Sequence, residues 1–427
     1  MTVLGTGQVE EVLSEATVAG IVHDLLADQP IDDRHVVVLI PDGTRTAPLP
    51  MMLRLLHDEL AGRARRIDVL IALGTHQPMP DDAIARMVGV SDVGPESGPR
   101  SELPAMTFVN HAWWRPEAFT ELGRMSEEQL AVLSEGRMHE SVVVTVNSLV
   151  VEADLAIVCG PVFPHEVVGF SGGNKYFFPG VSGPELIDVS HWLGALITSR
   201  TIIGTLGVTP VRRLIDAAAA MIPTPRLCLA MVVRPGPDAA LNGLYAGPPE
   251  PAWAAAAELS ARVHVRYAAR TYRTVLSVMS PRYEDMWTAA KGMYKVEPVV
   301  ADGGEVILYA PHITEFSVTH GEVLAAVGYH VRDYFLSHWD QFRDQPWGVL
   351  AHSTHLRGSG EIVDGVERPR ISVTLATGIP PEVCRAHGLG YRDPATIDPQ
   401  AWLRTEDSDV LVVENAGETL YRLNPTQ

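Results

Sequence analysis

The sequence predicts an α/β fold of two domains with mainly parallel sheets. Three observations predict it. Short β-branched runs recur along the chain, among them HVVVLI at 35–40, IDVLIAL at 67–73 and LAIVC at 155–159. Each leads into a polar loop, and the first two go on into a helical stretch; apolar runs of this length alternating with helices are βαβ units around a parallel sheet. The chain has 427 residues, which at about 150 residues per domain makes two or three domains and supports a large core.

The elements follow in order. The strand His35–Ile40 leads through PDGTRTAPLP into a helix near Met51–Leu60. Ile67–Leu73 leads through GTHQPMP into a helix near Asp81–Val88. Met106–Val109 opens onto NHAWW, and Leu155–Cys159 onto a long loop that ends in SGGNK. Cys159 ends its strand beside Pro161 and is expected in the core. The stretch richest in proline and glycine, Arg234–Pro251, is either a linker or an excursion within a domain. A second series comprises Thr274–Met279, a helix near Glu284–Tyr294, and Glu305–Ala310. The boundary belongs near 265–280; taken at 270, the domains are 1–270 and 271–427.

Composition excludes several classes. Lys plus Arg number 33 against 52 Asp plus Glu, so 33 − 52 gives −19. No basic run is present to release phosphate counterions or to hold an anionic membrane, so neither nucleic acid nor membrane is an expected partner. Asn147, Glu152 and Asp154 interrupt the apolar stretch at 142–158, so no membrane span is expected. The N-terminal MTVLGTGQVEEV is acidic where a secretory signal is basic. Cys159, Cys228 and Cys384 are too scattered for a disulfide framework or a CxxC site, and they fit a reducing cytoplasm. Of the 33 basic residues only Lys175, Lys291 and Lys295 are lysines. Arginine forks onto anions, whereas lysine offers an amine that can lose its proton and form covalent bonds.

Ligands of open parallel sheets bind outside the carboxyl ends of the strands. The loops there carry Asp42, Thr44 and Arg45, then Thr75 and His76, then His111, then His165. Successive units that each deliver a histidine or a charge to one edge predict an active-site crevice. The densest segment is Pro161–Gly194, with His165, Gly169, Gly172, Gly173, Lys175 and His191. Glycines beside a lysine point to a backbone nest for a phosphate. Tyr176 stands where a Walker loop needs Ser or Thr, and no G-x-G-x-x-G occurs, so the phosphate-bearing ligand is of unspecified type.

The constellation DGTR (Asp42–Arg45), GTHQP (Gly74–Pro78), NH (Asn110–His111), PHEVVGFSGGNK (Pro164–Lys175), PG (Pro179–Gly180) and SH (Ser190–His191) resembles the lactate racemase family, whose enzymes use a nickel-pincer nucleotide. The resemblance runs over roughly 40–310. It implies that 1–270 binds the cofactor and carries the catalytic residues, that 271–427 contributes substrate contacts, and that the active site lies in the interdomain cleft. Lys175 would form the thioamide that tethers the nucleotide, where arginine could not substitute. His191 would be the protein ligand to nickel; imidazole suits that metal, and the pincer's two sulfurs and one carbon fill the other positions. Asp42, Thr44, Arg45, Gly172 and Gly173 would hold the nucleotide, and Arg45 and His76 would also meet the substrate.

His111 and His165 would be the acid/base pair. The implied reaction inverts the carbinol carbon of a 2-hydroxy acid by reversible hydride transfer to the cofactor. One histidine takes the hydroxyl proton, and the other returns it on the opposite face. An unperturbed histidine, near pKa 6.5, suits both tasks.

Lys291 lies in YEDMWTAAKGMYKVEPVV (Tyr283–Val300), which resembles the family segment whose lysine meets the substrate carboxylate. The Tyr-Gln pair frequent there is replaced by Trp287 and Thr288. This change at a substrate-binding position puts lactate itself in question and leaves open another hydroxy acid or a sugar acid. Asn174 stands where the lactate enzymes commonly have Arg. Trp113 and Trp114 either line a larger substrate pocket or pack. Lys295, one turn beyond Lys291, reads as a solvent-facing charge. His312, His320, His330, His338, His352 and His355 fall within 44 residues, as structural or substrate-contacting groups.

Two other functions compete. A non-catalytic nucleotide carrier or sensor needs Lys175 and His191 but not both His111 and His165. A zinc hydrolase would use the C-terminal histidines. Expected partners are a small hydroxy acid, the cofactor-synthesis enzymes transiently, and a second copy of the chain.

Overall fold

The computed structural model describes residues 2–91, 102–236 and 238–424, and it divides into two compact units. The first comprises Met1–Phe163, Phe170–Ile187 and Leu206–Val263; the second comprises Pro164–Gly169, Asp188–Thr205 and His264–Gln427. The sequence suggests a single cut at 270. Contacts instead cut the chain at 263/264 and assign two earlier segments, carrying His165 and His191, to the second unit.

The first unit is built on a seven-stranded sheet in the order Leu4–Gly7, Leu241–Gly247, Arg226–Val233, Leu155–Pro161, His35–Ile40, Arg66–Ile71, Met106–Asn110. The five strands from Arg226–Val233 to Met106–Asn110 pair in parallel. Leu4–Gly7 and Leu241–Gly247 close one edge in antiparallel fashion. The HVVVLI strand is buried along its whole length, as expected for a strand covered on both faces. Its alternating Val36, Val38 and Ile40 join Val69, Ile71, Ile157 and Leu229 in one core cluster. Each such fully buried side chain contributes ~1.5–3 kcal/mol. The expected helix at Asp81–Val88 forms with those bounds, starting on two acids and ending on left-handed Gly89. Arg234–Pro251 is an excursion within the unit, since its centre is the Leu241–Gly247 strand.

The second unit has a five-stranded, wholly parallel sheet in the order Gly390–Tyr391, Ser372–Thr377, Val300–Ala310, Tyr272–Met279, Val410–Ala416. The helix expected near 284–294 is instead two four-residue helices, Met286–Ala289 and Lys291–Tyr294. Gly292 in the second lies flat on the sheet, where a Cβ would stand 2.3 Å from Met279 Sδ. No helix among the described residues is long and apolar enough to cross a membrane.

Candidate active site

The strand order places the switch point of the first sheet between His35–Ile40 and Leu155–Pro161. From there the chain winds one way to Arg66–Ile71 and Met106–Asn110, and the other way to Arg226–Val233. This is where an open α/β sheet holds its ligand. The loop after His35–Ile40 carries Asp42, Thr44 and Arg45, and hydrogen bonds tie it to its neighbours. Buried Asp42 accepts from the Thr44 amide and hydroxyl at 3.1 and 2.6 Å on one oxygen, and from His76 Nδ1 at 2.5 Å on the other. Burial alone would raise the Asp42 carboxyl; His76, Thr44 and Arg45 outweigh it and hold the group well below the usual range. Trp113 Nε1 donates to the His76 carbonyl at 2.8 Å, and the Asn110 amide exchanges two bonds with the Met79 backbone. Trp113 thus fastens the His76 loop and packs on the core, while Trp114 is 43% exposed.

The glycine turn forms the other wall of the switch point. Gly172 has φ 86° and a Cβ there would stand 2.6 Å from Val162 Cγ2; Gly173 has φ 58° and a Cβ there would meet Trp253 at 2.8 Å. Only glycine fits either position. Lys175 follows, half-buried on the turn Gly173–Tyr176. A buried charge holds the turn from below. Arg212, 1% exposed, donates to the carbonyls of Gly172 at 3.1 Å and Phe170 at 2.5 Å, and lies 4.0 Å over the Trp253 ring. Trp253 Nε1 in turn donates to the Ser171 carbonyl at 2.9 Å. Asn174 donates to Asp216 at 2.9 Å and Glu250 at 2.7 Å, while Arg226 donates to its oxygen at 3.3 Å. A neutral amide suffices at 174 because Arg212 and Arg226 already face those two acids.

His111, fully buried, caps the Met106–Asn110 strand. Asn147 Nδ2 donates to its Nδ1 at 3.1 Å, and the Asn147 oxygen is committed to the Leu149 amide. The ring proton therefore sits on Nε2, which faces the Ser182 carbonyl at 3.3 Å. Burial pushes the imidazole down to about 4, against the Ser182 bond. The group is neutral at pH 7, and its pKa is well below the near-neutral value expected from the sequence.

The second unit carries the other predicted residues. His165 is 4% exposed; its Nδ1 accepts from the Val167 amide at 3.2 Å, with the Glu166 carboxylate 3.3 Å away. His191 is half-buried on the helix Pro184–Ile197. Lys291 is 6% exposed, with Nζ 5.0 Å above the Tyr283 ring. The Thr288 hydroxyl and amide both donate to Asp285, 2.9 and 3.0 Å from its carboxylate, so Asp285 caps the helix and the Thr288 hydroxyl is committed to it. Trp287 lies between the rings of His352 and His320, at 4.1 and 4.4 Å. Lys295 is not solvent-facing: it is 2% exposed and Nζ donates to the Glu418 carbonyl at 2.9 Å.

Sequence reasoning missed Arg212, Trp253, Asn147 and the pairing of Trp287 with His352. Arg212 had a signal. It shares the stripe of Ile215 and Ala219 at helical spacing, and a charge on an apolar stripe needs a buried partner. Asn147 had none, because its partner comes from a strand 36 residues away.

The residues fit the implied cofactor. Among the described residues no group of three or more His, Cys, Asp or Glu converges to hold a metal. A metal held through His191 must therefore bring its other donors with it, as a pincer does. The same observation leaves a zinc hydrolase at the C-terminal histidines without a donor set.

Comparison with known proteins agrees with this reading. The lactate racemase N-terminal domain matches residues 5–204. The lactate racemases of Thermoanaerobacterium thermosaccharolyticum and Lactiplantibacillus plantarum are 25% and 23% identical over 282 residues, 65% of this chain. The match spans 60% of the length of each of these curated relatives. A crystal structure of a Thermotoga maritima protein superposes with a TM-score of 0.89 at 30% identity, covering 98% of this chain and 100% of that one. The lactate racemase apoprotein of T. thermosaccharolyticum shares the fold at a TM-score of 0.70 and 20% identity, over 96% and 93% of the two chains. The glycine turn and the histidines at the strand ends thus lie within residues 5–204, the part of the chain that matches the lactate racemase N-terminal domain.

Proposed function

We propose that the protein is a racemase or epimerase of a 2-hydroxy acid that works with a nickel-pincer nucleotide. The observation that carries this reading is the pairing, at one switch point, of a glycine turn presenting Lys175 with the Asp42–His76 pair, inside a matched lactate racemase domain. Lys175 would hold the nucleotide covalently, His191 would ligate its nickel, and Asp42, Thr44, Arg45, Gly172 and Gly173 would shape the nucleotide's bed. When bound, the cofactor supplies an electron-pair acceptor that takes and returns the Cα hydrogen.

The chain's own residues move protons and hold the substrate. Lys291 is a compact buried cation suited to the substrate carboxylate. His111 and His165 would each hold or move a proton at the substrate hydroxyl, one for each enantiomer. His111 is neutral and so ready to accept, once substrate displaces Asn147 from Nδ1. Arg45 and His76 would meet the substrate anion. The Thr288 hydroxyl is held by the capping Asp285 carboxylate, which favours a substrate other than lactate.

Co-expression with the cofactor-synthesis enzymes should yield a covalent mass adduct on Lys175 and about one nickel per chain. Single-enantiomer 2-hydroxy acids incubated in D₂O should invert with the Cα hydrogen retained, read by proton NMR. A protein with neither nickel nor adduct, or inversion with deuterium wash-in, would refute the reading. A carrier would bind nickel and invert nothing.

A further inference from the structure

The second unit contains a pocket of about 190 Å³ that none of these roles uses. Its lining includes Thr198, Ser199, Arg200, Arg332, His355 and Ser359, and the one aliphatic side chain in it is that of Ala195. It lies near His191 and Lys291 of the same unit. Ala195 is one turn beyond His191 on the same helix face. The His355 ring meets Tyr294 at 6.4 Å, and Tyr294 shares a short helix with Lys291.

One buried polar atom in the wall lacks a protein partner among the described residues. His355 is 4% exposed, yet its Nε2 makes no hydrogen bond. Ser199, in the same wall, is also 4% exposed. A buried polar group left unpaired is unfavourable unless a ligand or water completes it. The wall also holds backbone strain. Thr198 has φ 79° and ψ 140°, a conformation suited to glycine, and its hydroxyl stands 3.0 Å from that of Thr201.

The lining decides the ligand class. An alkyl or aromatic tail would desolvate these groups without replacing their bonds. An anion is disfavoured because the helices Pro184–Ile197 and Trp347–Arg357 both end at the pocket, with their negative poles toward it. Neither arginine of the wall offsets them: Arg332 bonds Asp333 at 2.8 Å and the Leu196 carbonyl at 3.0 Å, and Arg200 is exposed to water, which screens its charge. Hydroxyl groups, which both donate and accept, suit this wall.

We infer that the pocket binds the polyhydroxyl tail of the substrate, so that the hydroxy acid is of the sugar-acid class. The inference rests on the racemase reading above. At about 30 Å³ for each water-sized group, the volume admits about six such groups, a tail of about three CHOH units. Its hydroxyls complete Ser199 and His355 Nε2, and Thr198 and Ser359 contribute at the rim.

Three acids of equal chain length test this: xylonate, 2-hydroxyglutarate and 2-hydroxypentanoate, titrated calorimetrically into the full chain. Xylonate should bind about tenfold tighter than the other two. Ser199→Ala and His355→Phe should remove most of that preference. Thr198→Gly should keep or raise the melting temperature, because it relieves the backbone, yet weaken xylonate several-fold. Equal binding of the three acids, preference for either competitor, or unchanged selectivity in the variants would overturn the inference. The nickel-loaded enzyme separates the two readings. Inversion of 2-hydroxypentanoate as fast as xylonate would sink the pocket assignment and leave the racemase standing. Selective xylonate binding with no nickel, no adduct and no inversion would sink the racemase and leave the pocket's ligand class standing.

Discussion

An amide decides what His111 can do. Asn147 donates to Nδ1, which leaves no acceptor there for a second proton. Replacing the amide by an isosteric carboxylate reverses this preference. In Asn147→Asp the oxygen facing Leu149 N survives, while a negative charge arrives at Nδ1. An opposite charge at this range favours the imidazolium, so the His111 pKa should rise from about 4 by at least about one unit. An NMR titration of the His111 ring protons measures it; an unmoved midpoint would contradict the assignment. The three lysines repeat the lesson that a residue's role is set by what lies across from it. Lys175 and Lys291 stand where the family resemblance asks for an amine. Lys295 was readable only as a surface charge, because its partner, the Glu418 carbonyl, returns 123 residues later.

At the scale of elements, the glycine turn depends on a helix that the sequence does not connect to it. Arg212 on Pro210–Ala219 donates to the Phe170 and Gly172 carbonyls, so the shape that presents Lys175 rests on one buried cation. Arg212→Met leaves two buried carbonyls without their donor and two nearby acids with Arg226 as the facing cation, and should destabilise the first unit by ~3–5 kcal/mol. Arg212→Lys keeps the charge but not the fork, and should lose less. Hydrogen–deuterium exchange over 169–178 should accelerate in the order wild type, Lys, Met, and equal protection in all three would reject the role. The strands were legible because buried parallel strands are continuous apolar runs, as HVVVLI and LAIVC show. The predicted site residues on the first unit's loops were legible because each follows such a run. The broken helix around Ala290 was not, because its cause is the flat contact of Gly292 on Met279, which no local periodicity encodes.

Across the whole molecule, buried neutral histidines link stability to pH. His111 and His355 are each pushed by burial down to about 4, and burial, with the neighbouring His355, His320, His191 and Lys291, holds His352 well below its ordinary value. Their unfolded pKa is about 6.5. Between these values the unfolded chain binds protons that the folded chain refuses. Stability is therefore complete above about 6.5 and falls as pH drops toward 4, by up to ~3 kcal/mol for each group shifted by about 2.5 units. Burial raises the Asp188 and Asp216 carboxyls, which acts in the opposite sense at the acid end, so the decline should be steepest at about pH 5–6, between the two histidine values. The melting temperature of the ligand-free protein should thus drop between pH 7 and 5. In His111→Gln, whose amide can keep a bond to the Ser182 carbonyl, the drop should be smaller by one histidine's share. A flat profile, or the same slope in that variant, would mean that these imidazoles take up protons without unfolding, and that the burial assigned to His111 is not its state in solution.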